Sequence, residues 1–399
     1  MRMLDSLLRG FIRNGTLRLI NADGALSTYG GQGPGPTVTM RLHDRALHSK
    51  LGLNPELHAG EAYMNGTLTF EEGSDVGDFM HLFSLNRSGL ARHASQKLMR
   101  SLWRAAKRWH QANPVGVAAK NAQHHYDVST EIYRLFLDEG LNYSCAFFAD
   151  PANDTLEQAQ LAKLRRATAK LLLKPGMTVA EIGSGWGAFA IHIAQTTGAK
   201  VTATNVSPEQ IRTAREEAAK AGVSELVEFV EIDYRNLQGS FDRVVSVGMM
   251  EHVGIGHFDE YFGKIRSLLK PDGYAYVHCI GRMLPPGTTG PFIRKYIFPG
   301  AYVPSLSEVF AATERTAMWV ADMEVLRLHY AYTLQHWRRR FAANRAAIVA
   351  LSDERFARAW EYYLAAVEVG FSNGSNMVFQ LLLSPAIDAV PINRNLLMV

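Results

Sequence analysis

The stretch Ala180-Glu181-Ile182-Gly183-Ser184-Gly185-Trp186-Gly187 has the residue types to hold a ligand by its backbone. An apolar run from Met177 to Ile182 meets three glycines in five positions, and an apolar, helix-like segment follows from Ala188. Glycine removes the Cβ atoms that would keep a ligand off the chain, and the free N–H groups of a first helical turn face whatever sits in the loop. Such a loop suits a nucleoside-containing cofactor. Gly183, Gly185 and Ala188 also fit the relaxed dinucleotide fingerprint, which wants an acidic residue about twenty positions on, at the end of the next strand. The next apolar run, Lys200 to Val206, ends in Thr204-Asn205 instead. S-adenosylmethionine is therefore the preferred tenant, a nicotinamide the second, and a purely structural glycine turn the third.

The segments around this loop alternate regularly. A helical period from Leu156 to Leu173 leads through the turn Lys174-Pro175-Gly176 into the opening strand. Then follow a helix (Ala188 to Thr196), a strand (Lys200 to Val206), a helix (Pro208 to Ala221) and strands from Val227 to Asp233 and from Arg243 to Val247. A helix (Phe258 to Leu269), the turn Lys270-Pro271-Asp272-Gly273 and a strand (Tyr274 to Ile280) complete the set. This alternation predicts an α/β fold, a mainly parallel sheet with helices on both faces. Ligands of such sheets bind at the carboxyl ends of the strands. Those ends carry Glu181 to Gly187, Asn205 to Gln210, Asp233-Tyr234, Met249 to His252 and His278 to Gly281, so polar residues collect on one edge.

The 399 residues, 47% of them apolar, suffice for one large or two ordinary packed domains. No apolar run has the length of a membrane span, and the N-terminus lacks the pattern of a secretory leader, which predicts a cytoplasmic protein. Cys145 and Cys279 have no metal-ligand spacing and are too few for a disulfide framework. The net charge is +4, but it is unevenly spread. Between Phe79 and Tyr126 there is no acid, while Arg87, Arg92, Lys97, Arg100, Arg104, Lys107, Arg108 and Lys120 fall there. Leu98, Met99, Leu102, Trp103, Ala106 and Trp109 recur at helical spacing among those cations. The segment reads either as a solvated face or as a basic amphipathic helix that lies on an anionic membrane surface. No nucleic-acid motif accompanies it.

Residues before about 80 read as a small α+β module. Leu4, Leu7, Leu8, Phe11 and Ile12 make a short amphipathic helix, Thr16 to Ile20 and Thr37 to Leu42 are strands around a Gly/Pro-rich loop (Gly30 to Pro36), and Gly60 to Thr67 is turn-like. The expected organisation is an N-terminal membrane-associating module over 1–110, a linker over 111–121 and a catalytic domain over 122–399.

Five segments then occur in order: Asn121-Ala122-Gln123-His124-His125-Tyr126-Asp127-Val128-Ser129, Leu141-Asn142-Tyr143-Ser144-Cys145-Ala146-Phe147-Phe148, Glu181 to Gly187, Ser246-Val247-Gly248-Met249-Met250-Glu251-His252-Val253-Gly254, and Lys295-Tyr296-Ile297-Phe298-Pro299-Gly300. Together they resemble the cyclopropane-fatty-acyl-phospholipid synthases and the related mycolic acid cyclopropane synthases, over roughly residues 120–399. The resemblance implies a Rossmann-like class I methyltransferase that delivers the methyl of S-adenosylmethionine as a methylene bridge across a cis double bond of a phospholipid acyl chain. It implies cofactor contacts at Tyr126, Tyr143, Ser144, Val179, Glu181, Gly183, Ser184, Gly185, Gly187, Asn205, Ser207, Gln210, Asp233 and Tyr234. It also implies a bicarbonate ion held by Glu251, His278, Tyr330, Cys145 and Ile280, the last two through backbone groups. Peripheral association with the inner face of the membrane goes with that reading, and a homodimer is compatible with it. Ser184 stands where cysteine is common in similar proteins, Glu181 where aspartate is, and Asn205 where threonine is; none of these removes a reacting group.

An alkene is a feeble nucleophile, so the reaction needs alignment at about 3 to 3.5 Å in a dry pocket. The resulting carbocation wants electron-rich faces, for which Tyr143, Phe147, Tyr296, Phe298, Tyr302 and Tyr330 are candidates. Ring closure needs a base, and a small bound base avoids the ester that Glu251 itself could form with the cation. Cys145 has no paired histidine and acid placed to make it a nucleophile, and His124-His125 and His252 with His257 lack a metal-ligand pattern. The competing readings are a lipid C-methyltransferase giving a methyl-branched or methylene product, a small-molecule N-methyltransferase on the same scaffold, and a non-catalytic lipid-binding protein.

Overall fold

The computed structural model describes residues 2–92 and 128–393. The basic amphipathic segment, the linker, His124-His125 and Tyr126 lie outside the described residues. The chain forms two compact units, each built from separated stretches.

The first unit holds described residues 2–92 together with 288–299 and 337–375. It opens with α1 (Arg2–Phe11), whose Leu4, Leu7, Leu8 and Phe11 are buried. A four-stranded sheet of β1 (Asn14–Ile20), β2 (Leu26–Gly30), β3 (Gly33–Leu42) and β4 (Leu68–Glu71) has the order β2-β1-β3-β4, with β1 and β3 parallel. Residues expected as a loop from Gly30 to Pro36 thus largely belong to strands, because β3 starts at Gly33 and pairs Asn14 with Gly33 before a bulge. Between β3 and β4 lie α2 (Leu47–Leu53) and α3 (Pro55–Met64), and α4 (Val76–Arg92) follows. The turn expected from Gly60 onward is therefore a helix up to Met64. Asn54 caps it by accepting from the Leu57 N–H at 3.3 Å, Pro55 sits in its first turn, and Gly60 is needed because a Cβ there would meet the Phe292 ring at 2.4 Å.

The second unit holds described residues 128–287, 300–336 and 376–393. After α5 (Thr130–Arg134), α6 (Leu156–Leu171) starts on a capping box between Thr155 and Gln158. Then alternate β5 (Thr178–Ile182), α7 (Ala188–Thr197), β6 (Lys200–Asn205), α8 (Pro208–Lys220), β7 (Val227–Glu231), β8 (Phe241–Val247), α9 (Phe258–Leu268) and β9 (Leu269–Arg282). These strands are mutually parallel, as the alternation requires. After α10 (Leu306–Arg315) come β10 (Trp319–Leu326) and α11 (His329–Ala343). The first unit's α12 (Arg345–Leu351) and α13 (Glu354–Ser372) then precede β11 (Asn376–Ser384). The sheet order is β10-β11-β9-β8-β5-β6-β7, with β11 antiparallel to both its neighbours. One core, with Ala180, Ile182, Val244, Tyr261 and Phe379, covers one face and another, with Val179, Ile193, Val201, Tyr274 and Tyr276, covers the other.

The domain boundaries differ from a simple split near residue 122. Residues 337–375 group with the first unit because α13 packs on α3 and α4, and residues 288–299 do so because Phe292 fills the space over Gly60.

Candidate cofactor and catalytic site

A cavity opens at the carboxyl ends of β5, β6 and β8, where the glycine loop turns from β5 into α7. Gly183, Gly185 and Gly187 have φ of 83°, 53° and 89°, a left-handed backbone that glycine adopts without strain. Their roles differ. A Cβ on Gly185 would meet nothing within 4 Å, so that position faces open space. A Cβ on Gly187 would sit 2.7 Å from the Phe229 ring and 2.9 Å from Ala214, so this glycine lets α7 seat on the sheet and does not line the cavity.

Tyr143, Ser144, Glu181, Gly183, Ser184, Gly185, Asn205, Gln210, Asp233 and Tyr234 line the cavity. Two further expected cofactor residues do not, besides Gly187. Val179 is fully buried in the sheet core, three residues short of the strand's end. The Ser207 hydroxyl caps α8, accepting from the Gln210 N–H, and is turned into the helix end. The Asn205 side chain is spent on the protein: it donates to the Gly185 carbonyl at 3.1 Å and to Gln210 Oε1 at 2.8 Å, and accepts from the Val206 and Ser207 N–H groups. That leaves Gln210 Nε2 buried without a partner. Asp233 is clamped by Arg235 through two guanidinium contacts of 2.9 and 2.7 Å, which help hold its carboxyl below the usual range against burial.

The cavity also takes in Trp186, Met249 and His252, from stretches the sequence put on this edge, and Lys163 and Arg235, which sequence reading missed. Lys163 carried a signal: it is a cation inside the buried stripe of α6, between Gln160 and Leu164. Its ammonium donates to Asn142 Oδ1 at 2.8 Å and Ser144 Oγ at 3.2 Å, and burial pulls its pKa down to about 8. Burial likewise pushes Glu181 up to about 8, with Lys163 opposing, and Glu181 Oε2 has no hydrogen-bond partner. His252 is held neutral, pulled down to about 4 by burial.

The expected anion-holding residues flank this edge. Glu251 lies in a short helical turn between the cavity residues Met249 and His252, and its Oε1 accepts from the Ile280 N–H at 2.6 Å. The Ile280 N–H is therefore engaged by the Glu251 carboxyl. Glu251 Oε2 is buried without a partner, and burial pushes the carboxyl up to about 7. His278, two residues before Ile280 on β9, is buried and pulled down to about 3. Tyr330 is buried near the start of α11. One turn on, Thr333 Oγ1 accepts from the Ala146 N–H at 3.0 Å, which ties α11 to the residue after Cys145. The Cys145 thiol is fully buried, pushed up in pKa, and donates to the Ala146 carbonyl, so it is inert as a nucleophile.

Of the six aromatic candidates, Tyr143 lines the cavity. Phe147 is sandwiched by other groups: the Arg166 guanidinium is 4.1 Å from its centroid and the His329 ring stacks at 4.6 Å. The Tyr302 hydroxyl donates to Glu308. Tyr296 and Phe298 belong to the first unit, where the Tyr296 hydroxyl donates to Glu61 and Phe298 meets Tyr363 edge-on.

The family model of the mycolic acid cyclopropane synthetases matches residues 116–381. A tuberculostearic acid methyltransferase, UfaA1, of Mycobacterium tuberculosis is 35% identical over 94% of this chain and 89% of its own length. The cyclopropane-fatty-acyl-phospholipid synthase of Escherichia coli K12 is 37% identical over 66% of this chain and 67% of its own. Among solved structures, the mycolic acid cyclopropane synthase CmaA1 complexed with SAH and CTAB superposes with a TM-score of 0.63 at 30% identity, covering 66% of this chain and 97% of that one. A glycine-lined cavity on a parallel sheet edge and a match spanning most of the chain agree: the protein belongs to the mycolic acid cyclopropane synthetase family and is an S-adenosylmethionine-dependent methyltransferase.

Proposed function

We propose that the protein transfers the methyl carbon of S-adenosylmethionine to a cis double bond in the acyl chain of a membrane phospholipid and closes it to a cyclopropane, with bicarbonate held at Glu251. The observation that carries this reading is the state of Glu251: one oxygen fixed by the Ile280 N–H, the other buried and unpartnered. Leaving such an atom unsatisfied costs about 1–3 kcal/mol, a cost relieved by a small polar guest. An ionised carboxylate would repel an anion, but at a pKa of about 7 the acid form is well populated at neutrality and donates a hydrogen bond to it. The residues therefore fit bicarbonate.

When bound, S-adenosylmethionine supplies an electrophilic methyl group and bicarbonate a small base. The chain does the rest. Gly185 admits the cofactor to the backbone, Glu181 and Gln210 Nε2 offer an acceptor and a donor that lack protein partners, and Tyr143 presents an aromatic face to the developing cation at about 0.5–2 kcal/mol. Glu251 and His278 hold the base. Both are buried, which keeps competing water away. Docking on an anionic membrane surface through the cations between Arg87 and Lys120 belongs to the same reading and is supported by the sequence pattern.

A second reading has specific support: the relative aligned over 94% of this chain is a tuberculostearic acid methyltransferase, so a methyl-branched product is the alternative outcome. Purified protein with methyl-labelled S-adenosylmethionine and vesicles of cis-unsaturated phospholipid separates the two. We expect label in the acyl chain, a mass gain of one CH2 and the high-field proton signals of a cyclopropane; branched or methylene signals favour the second reading. Glu251→Gln should lose turnover by about a hundredfold or more while binding the cofactor as the wild type does. Label on an amine, or a fully active Glu251→Gln, overturns the proposal.

A further inference from the structure

His278 is not alone on its face of the sheet. In the strand register Glu324 of β10 pairs with Gln380 of β11, and Gln380 pairs with His278 of β9. Three polar side chains therefore stand in a row across adjacent strands, in a region otherwise packed with tyrosine and leucine. Lys170 of α6 closes the row from above, donating to both Glu324 Oε2 and Gln380 Oε1. Arg166 adds a second cation on Glu324 at 2.9 Å. Gln380 Nε2 then lies 3.1 Å from His278 Nδ1, and the Tyr276 hydroxyl is 3.5 Å from the same nitrogen.

The chemistry of the row has one direction. An ammonium only donates, so the Gln380 atom that faces Lys170 is the carbonyl oxygen, and the amide NH2 must face His278. An NH2 only donates, so His278 Nδ1 must accept. In a neutral imidazole the proton then sits on the other nitrogen. We propose that Gln380, oriented by Lys170 and anchored through Glu324, is a positioning residue that fixes His278 as the tautomer protonated on Nε2, making it a hydrogen-bond donor and barring it as a proton acceptor. Within the proposed function, for which this is the only dependence, Nε2–H donates to an oxygen of the bound base, so proton removal falls to that base and not to His278.

The test is the two-bond 15N–1H correlation spectrum of the full chain labelled on the histidine rings, without lipid or bicarbonate. The sequence has 14 histidines, and the signal lost in His278→Gln identifies the one in question. The wild type should show the pattern of an Nε2–H neutral ring. In Gln380→Glu a carboxylate accepts from Nδ1, so the pattern should invert to Nδ1–H, and kcat should fall about tenfold or more while KM for S-adenosylmethionine holds. Lys170→Met is the second variant: the released amide should turn over, giving a mixture of both tautomers. An Nδ1–H wild type overturns the proposal, as does a pure Nε2–H signal in both variants or an inverted tautomer at unchanged kcat. If the tautomer inverts as expected but the wild type never modifies lipid, the positioning claim stands and the functional reading fails.

Discussion

Replacing Glu181 by glutamine should flatten most of the pH dependence of S-adenosylmethionine binding. Glu181 lines the cavity at the end of β5 with Oε2 unpartnered, and its pKa of about 8 reflects burial acting against the Lys163 charge. A group with that pKa is ionised in about a tenth of molecules at pH 7 and about a hundredth at pH 6. The ligand brings two cations, its sulfonium and its ammonium, against one carboxylate, so it binds the ionised form and draws the pKa down. The sign follows: binding releases a proton, and affinity rises with pH up to about 8. From pH 6 to 8 the gain is about fifty-fold, and close to one proton leaves per ligand at pH 7. Of the other groups facing the cavity, His252 stays neutral with a pKa near 4 and Asp233 is kept ionised by Arg235, while Lys163, at about 8, titrates over the same window as Glu181 and adds a smaller slope of the same sign, since losing its charge also favours a cationic ligand. Isothermal titration in two buffers of different ionisation enthalpy counts the proton directly. A flat profile in the wild type, or an undiminished slope in Glu181→Gln, refutes the reasoning.

Two further outcomes separate structural from functional parts. Gly187→Ala forces a Cβ into Phe229 and Ala214 at a φ of 89°, and should lower unfolding stability by about 2–4 kcal/mol in denaturant titration. Gly185→Ala meets no protein atom, so it should lose only about 1 kcal/mol at its φ of 53° while cofactor affinity drops; equal stability losses in the two variants contradict the distinct roles. Replacing Arg100, Arg104, Lys107 and Arg108 with glutamine should weaken activity on anionic vesicles more than on detergent-dispersed lipid, and identical losses retire the membrane-docking reading.

The parallel half of the sheet was legible because β5 to β8 are short runs bounded by Gly, Pro or Asp turns, and the helices before β5 and after β6 carry caps at Thr155 and Ser207; β9 instead runs through the expected turn Lys270-Pro271-Asp272-Gly273, with a register shift against β8 before Tyr274. What escaped was set by distant partners. β11 is an apolar run like the others, but only the fold shows that it inserts antiparallel between β9 and β10. β10 has Trp319 and Val320 exposed, so its period is weak. Residues 337–375 follow α11's start without a break in the sequence, yet α13 finds its apolar partners on α3 and α4. Within the site, residue type located the edge but not each side chain's task. Glycine at 185 and at 187 look alike in one dimension, and only the neighbours Phe229 and Ala214 tell a ligand cradle from a packing contact.

Three unpartnered buried polar atoms stand on or beside this edge among the described residues: Glu181 Oε2, Gln210 Nε2 and Glu251 Oε2. Each destabilises the ligand-free fold by about 1–3 kcal/mol, a large burden against the usual net stability of a domain. Two well-formed cores carry that burden, and the polar groups around these atoms are already engaged: Asn205 occupies Gln210 Oε1, the Ile280 N–H occupies Glu251 Oε1, and Lys163 is taken by Asn142 and Ser144. A sheet edge whose polar groups were all paired internally would be more stable and would recognise nothing. The same atoms that weaken the empty fold are thus the ones a charged cofactor and a small anion can complete, so ligand binding and folding stability should rise together in this protein.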